Sequence, residues 1–166
     1  RKYGTSCDSW NEEKDMKGIS VIITAYKSQN FIGDCVHSLR HQQTNFPYEI
    51  IIGIDACPDT LEVAKNLPDI SVYYNENNVG SYVMRNTLAK KAKFDNLVFF
   101  DSDDIAKDNL LQVMFDSLQQ TDLVRCKYYN FKTFGNYTRC TSPAFGAFGI
   151  RKNVFFSLNG FQNWRF

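Results

Sequence analysis

Asn96 to Asp104 reads NLVFFDSDD, and within four positions it sets three carboxylates, Asp101, Asp103 and Asp104, directly against four apolar residues. Two unit charges about 4 Å apart repel by roughly 4 kcal/mol at an effective dielectric near 20, so crowding them at the end of a buried strand is costly unless a cation offsets them. Hard divalent ions such as Mg2+ or Mn2+ take oxygen ligands of this kind and keep open positions for substrate phosphates. The expected partner is thus a metal-bound diphosphate. A second reading stays open, because Ser102, Asp103 and Asp104 are also residue types that cap a helix, and helical spacing resumes near residue 107.

Other residues could serve the same chemistry. Asp55 follows the apolar run Ile50-Ile51-Ile52-Gly53-Ile54 and is either a ligand group at a strand end or a turn former ahead of Pro58. Arg85 lies shortly after Asn77-Asn78-Val79-Gly80, where its rigid fork can face phosphate or base oxygens, or simply solvent. Thr24, Ala25 and Tyr26 close the first apolar run. His37 and His41 stand four apart, a spacing that can bind zinc, but Ser38 rather than a glutamate follows His37 and the zincin pattern is absent. No Ser-His-Asp or Cys-His set has a supporting turn motif.

These groups need elements to position them. Short runs rich in β-branched residues, at 19–24, 48–54, 70–74 and 97–100, alternate with helical segments at about 29–43, 60–66, 79–93 and 107–119. That alternation predicts βαβ units and a mostly parallel sheet flanked by helices, with strands covered on both faces. Phe31, Ile32, Cys35, Val36 and Leu39, and later Leu110, Leu111, Met114, Phe115 and Leu118, recur at helical spacing and are read as core faces. From Asp122 onward the pattern becomes irregular, with extended stretches at 122–134 and 137–141 around Gly135-Asn136. Residues 1–17 form a polar lead-in, and 18–166 are read as one domain. In open α/β sheets ligands bind outside the carboxyl ends of the strands, which is where all four exits carry polar groups.

Composition limits the alternatives. The chain has 166 residues, 43% hydrophobic and 15% aromatic, enough for a packed core. Nineteen Lys and Arg against eighteen Asp and Glu leave a net charge of +1, without the basic excess that nucleic-acid binding requires. Lys90, Lys91 and Lys93 are read as a solvated helix end. No apolar run reaches the roughly 18 residues of a membrane span, and no apolar signal core opens the chain, so a soluble, cytoplasmic protein is expected. Five cysteines without a C-x-x-C pair suggest neither a disulfide framework nor a zinc knuckle.

Taken together, the residues resemble the family 2-like glycosyltransferases with the GT-A fold. The resemblance lies in Ile19 to Tyr26, in Glu49 to Asp55, in Asn77-Asn78-Val79-Gly80 with Arg85-Asn86, in Asp101-Ser102-Asp103-Asp104, and in Gly146 to Arg151 with Gly160-Phe161. It implies a nucleotide-sugar pocket lined by Thr24, Ala25 and Tyr26, with Asp55 on the base, Arg85 near the base or diphosphate, and Asp101 and Ser102 near the ribose. It also implies that Asp103 helps hold Mn2+ or Mg2+, that the donor is a UDP-sugar, and that transfer inverts the anomeric centre. In such enzymes a general base deprotonates the acceptor hydroxyl, and the resemblance puts an acidic residue for it a little beyond the Gly-Phe pair. Here Gln162-Asn163-Trp164-Arg165-Phe166 follow, without a carboxylate. The expectation is a chain truncated at its C-terminus, its base beyond Phe166. Two alternatives accompany it: a nucleotide-sugar-binding module that is inactive alone, and a sugar-1-phosphate nucleotidyltransferase, for which Thr24 to Ser28 supplies no Gly-rich phosphate loop. The acceptor, whether glycan, protein or small molecule, is not legible.

Overall fold

The computed structural model describes residues 16–131, 137–139 and 147–162. In chain order the elements are β1 (Ile19–Ala25), α1 (Ile32–Arg40), β2 (Tyr48–Asp55), α2 (Pro58–Ala64), β3 (Ser71–Asn75), α3 (Ser81–Lys91) and β4 (Asn96–Asp101), followed by α4 (Leu110–Leu118), β5 (Leu123–Arg125), β6 (Tyr129–Phe131), β7 (Tyr137–Arg139), β8 (Phe148–Arg151) and α5 (Lys152–Ser157). Six strands form one sheet in the order β3-β2-β1-β4-β8-β5. The first four run parallel, and β8 is antiparallel to both β4 and β5. The fold is therefore α/β with a mixed, mostly parallel sheet, as the alternation of runs predicts.

The period-2 geometry of the strands sorts their side chains between two layers. Ile19, Val21, Ile23 and Ala25 of β1, Ile50, Ile52 and Ile54 of β2, and Val98 and Phe100 of β4 pack with Ile32, Val36 and Leu39 of α1 and with Leu111 and Met114 of α4. Ile22, Ile51, Leu97 and Phe99 point the other way and meet Met84, Leu88 and Ala89 of α3 and Phe155 of α5. Both stripes read at helical spacing, on α1 and α4, are thus core faces, except for Phe31, which precedes α1 and is 54% exposed. Each fully buried Ile or Leu in these layers contributes roughly 1.5–3 kcal/mol.

Three expectations need correction. The run ISVYY is not covered on both faces: β3 is the sheet edge, where Tyr73 and Tyr74 stay partly exposed, 36% and 39%. Lys91 lies over the Tyr73 ring, its Nζ 4.7 Å from the centroid, and charge at an edge discourages pairing with another chain. The helix anticipated from about 107 begins at Leu110, after Asn109, and makes no side-chain cap bond there. Ser38 of α1 and Gln42 just beyond its end hold its approach instead, with Ser38 Oγ accepting from the Ala106 N–H at 2.9 Å and Gln42 Oε1 from the Leu111 N–H at 3.0 Å. Asp104 therefore does not cap α4. Finally, β8 and α5 were not anticipated as elements.

The irregular stretch resolves into β5 and the antiparallel pair β6–β7. The Gly135-Asn136 turn, the lead-in through residue 15 and residues 163–166 lie outside the described residues. Among the described residues no helix is long and apolar enough to cross a membrane.

Candidate active site

The carboxyl ends of β2, β1 and β4 are neighbours, because Ala25 pairs with Ile54 and Thr24 with Asp101. Asp55 ends β2 and is only 4% exposed. Its Oδ1 accepts the Val79 N–H and its Oδ2 the Gly80 N–H, each at 2.9 Å. These N–H groups lead into α3, so the carboxylate sits where the positive end of the helix favours it. Gly80 has φ +85°, a conformation that side chains disfavour, and this bends the loop onto Asp55. A carboxylate accepts at about four lone-pair positions, so capacity for a ligand remains. The turn-former alternative is not how Asp55 acts, since its partners lie 24 and 25 residues away.

Arg85 rises from the second turn of that helix and crosses to β4. Its Nη2 donates to Asp101 Oδ1 at 2.6 Å, with the side chain 15% exposed, so it is not a surface arginine. Among the described residues its Nε is buried without a partner. The guanidinium also lies over the Phe161 ring, 5.6 Å from the centroid. Burial lifts the Asp101 carboxyl above its ordinary range; the Arg85 charge opposes this, and Asp103 adds to it.

Beyond Asp101 the chain turns, the Asp104 N–H donating to the Asp101 carbonyl at 3.2 Å. Ser102 points inward, its Oγ 2.7 Å from Ser28 Oγ in a buried pair. Asp103 is exposed. The Asp104 carboxyl is pushed up to about 6 by burial and by the charges of Asp101 and Asp103. Beneath the turn, burial and then the same three carboxylates push the Cys35 thiol far up, which leaves it a neutral group donating to the Asp101 carbonyl at 3.5 Å. Of the three carboxylates only Asp101 has a cationic partner among the described residues. Such uncompensated charge suits a hard divalent ion held by one or two carboxylates, with the remaining positions left to water and phosphate oxygens. A cage of three or more His, Cys, Asp or Glu side chains does not occur among the described residues.

The first exit completes the wall. Ala25 is buried, Thr24 half-buried, and Tyr26 is 50% exposed at the rim with Lys27 Nζ 5.2 Å from its ring centroid. Lys27 takes φ +54°, and the next residue, Ser28, turns back into the protein. The Ser28 N–H donates to Thr60 Oγ1 at 2.9 Å, which joins the β1 exit to α2. Ser28 and Thr60 were missed in the sequence; only the position of Ser28 just past the first strand hints at a role. The structure thus gathers Thr24, Asp55, Arg85, Asp101 and Ser102 around the ends of three adjacent strands. His37 and His41 sit toward the far end of α1, where His41 Nδ1 lies 2.8 Å from the His37 carbonyl oxygen.

Known proteins share this arrangement of strands. The S. aureus TarS 1-349 structure in complex with UDP superposes with a TM-score of 0.72 at 21% identity over 89% of this chain and 51% of that one. The same protein in complex with UDP-GlcNAc gives a TM-score of 0.67 at 21% identity, over 87% and 48%. At that identity the likeness establishes the fold, and the expected GT-A architecture is the one found. In sequence, glycosyltransferase GlyG of Streptococcus pneumoniae is 30% identical over 128 residues, 72% of this chain and 42% of GlyG. The uncharacterized glycosyltransferase EpsJ of Bacillus subtilis is 31% identical over 118 residues, 67% and 34%. The chain spans less than half the length of these relatives. Residues 20–162, from β1 through the segment after α5, match the profile of Glycosyl transferase family 2. With the strand order, the polar strand exits and this match all covering the same residues, the chain belongs to glycosyl transferase family 2.

Proposed function

We propose that the chain binds a nucleotide-sugar donor, with UDP as the carrier, and moves the sugar to an acceptor hydroxyl with inversion at the anomeric carbon. The observation that carries this reading is the link from Asp55 through the Val79-Gly80 loop and Arg85 to Asp101, which ties polar groups at neighbouring strand ends into one connected set. The TarS structures with UDP and UDP-GlcNAc support the choice of carrier.

On this reading Tyr26 and Asp55 line the base end, Thr24 and Ala25 form the floor, and Asp101 meets the ribose. Ser102 acts from beneath, fixing the turn through Ser28, and Arg85 offers its fork to the base or diphosphate. Asp103 is the residue that would hold Mn2+ or Mg2+, with Asp101 and Asp104 adding negative charge beside it. When bound, the ion would neutralise charge on the departing diphosphate as a Lewis acid. An inverting transfer also needs a base for the acceptor proton, and none of the residues named above takes that role.

Calorimetric titration of UDP into the chain, with and without MnCl2, tests the reading. UDP should bind, and more tightly with Mn2+. Asp103→Ala should remove the difference between the two titrations. Equal affinity with and without the ion would overturn the metal assignment, and no binding under either condition would overturn the donor.

A further inference from the structure

Asn86 follows Arg85 on α3 and has no part in the roles assigned above. Its side-chain amide faces the segment after α5 and makes a matched pair of bonds with the backbone N–H and C=O of one residue, Phe161. Asn86 Nδ2 donates to the Phe161 carbonyl at 2.8 Å, and Asn86 Oδ1 accepts the Phe161 N–H at 2.9 Å. A side-chain amide carries a donor and an acceptor side by side without a charge. The preceding residue is shaped to admit it. Gly160 takes φ +66°, and a Cβ there would stand 2.5 Å from Asn86 Oδ1 and 3.1 Å from the Phe155 ring. A side chain at 160 would therefore be both strained and in collision with the clamp.

The clamp fixes where the Phe161 ring lies. One face stacks with Tyr82, 5.3 Å between centroids and 12° from parallel. Phe99 and Phe155 meet it nearly edge-on, at 5.1 and 5.5 Å. The Arg85 guanidinium rests against the same ring while its Nη2 reaches Asp101. Arg85 is thus held at one side by an aromatic face and at the other by a carboxylate, and the aromatic face is where it is because Asn86 holds its backbone.

We infer that Asn86 is a positioning residue for the donor: its amide fastens Phe161 under Arg85, so that the guanidinium is aimed into the crevice before the ligand arrives. The inference rests on the reading of Arg85 as a donor-facing group. Its physical content is preorganisation, since an arginine free to sample its rotamers would lose that freedom on binding and weaken affinity.

The test is a double-substitution cycle on the chain, with UDP and MnCl2 as the probe, calorimetry as the readout and thermal unfolding alongside. Asn86→Ala is expected to weaken UDP binding about tenfold in the otherwise unchanged chain, yet by less than about twofold when Arg85 is already alanine, because residues acting as one unit are non-additive. Phe161→Leu keeps the apolar volume, removes the ring face and should repeat the pattern; it also serves if Asn86→Ala fails to fold. A lowered Tm with UDP affinity unchanged, or reduced equally in both backgrounds, would mark a merely structural role and overturn the inference. If Arg85→Ala weakens UDP while Asn86→Ala and Phe161→Leu do not, the inference alone falls. If Arg85→Ala binds UDP like the unsubstituted chain, or the unsubstituted chain does not bind it, the donor-site reading has failed and the inference falls with it.

Discussion

Asp104 has no positive partner among the described residues, and its charge is opposed by burial and by Asp101 and Asp103. Its folded-state value of about 6 stands above the ordinary 3.8, so between these pH values the folded chain keeps a proton that the unfolded chain has released. Stability from this group is complete below about pH 4 and lost as pH rises through 6. Asp104→Asn, which mimics the protonated form, is therefore expected to stabilise the chain at pH 7.5 by about 1 kcal/mol, the full shift being discounted because the carboxyl is partly open to solvent. Urea unfolding in EDTA should show that gain at pH 7.5 and almost none at pH 4. The crowding of these carboxylates was plain in the sequence. The inward turn of Ser102 was not, because its partner Ser28 is 74 residues away and a serine in a polar run carries no sign of direction. The carboxylate set stood out by type and spacing, Arg85 was open between the ligand and solvent, and Asn86 was named beside it only as part of the resemblance, with nothing local to show its partner, which lies 75 residues away.

At the scale of elements, α3 depends on a carboxylate from β2. Asp55→Asn keeps the size of the side chain but replaces one acceptor with an NH2 group, so one of the Val79 and Gly80 N–H groups loses its partner in a nearly water-free setting. An unmet buried donor costs about 1–3 kcal/mol. The variant should lose that amount of unfolding free energy, seen as a lower urea midpoint with an unchanged m-value, and should bind UDP more loosely through the displaced start of α3. The four parallel strands were legible because buried strands are continuous apolar runs. The placement of β3 at the edge was not, since ISVYY is as apolar as its neighbours and only the crossover order decides which strand ends outermost. Likewise β8 is four residues with Gly149 inside it, too short for a period, and exists because β4 and β5 offer it partners on both sides. The late start of α4 has the same origin, for its approach is held by Ser38 of α1 and by Gln42 just past the end of that helix.

For the molecule as a whole, protection should follow strand order. β1 is paired on both sides and its apolar positions are almost inaccessible, while β3 and β5 stand at the two ends of the strand order among the described residues. Native-state hydrogen exchange should therefore find the slowest amides in β1 and β4 and much faster ones in β3 and β5, because edge strands open by local rather than global unfolding. Slow exchange throughout β3 would mean that its edge is covered. The reversal of β8 sets a further condition. Running against β4, it delivers the chain at Arg151 beside Asn96, the end of the sheet remote from the crevice. The ten residues 152–161 must then bring Phe161 back to Arg85. The six residues of α5 rise about 9 Å, and the turn after them folds back on the helix, the Gly160 N–H donating to the Phe155 carbonyl at 3.0 Å, which brings Phe161 to Phe99, three residues and about 10 Å along β4 from Asn96. That stretch works as a ruler: its length, more than the identity of most residues in it, decides whether the aromatic ring arrives beneath the arginine, so it should tolerate substitution far better than the gain or loss of a single residue.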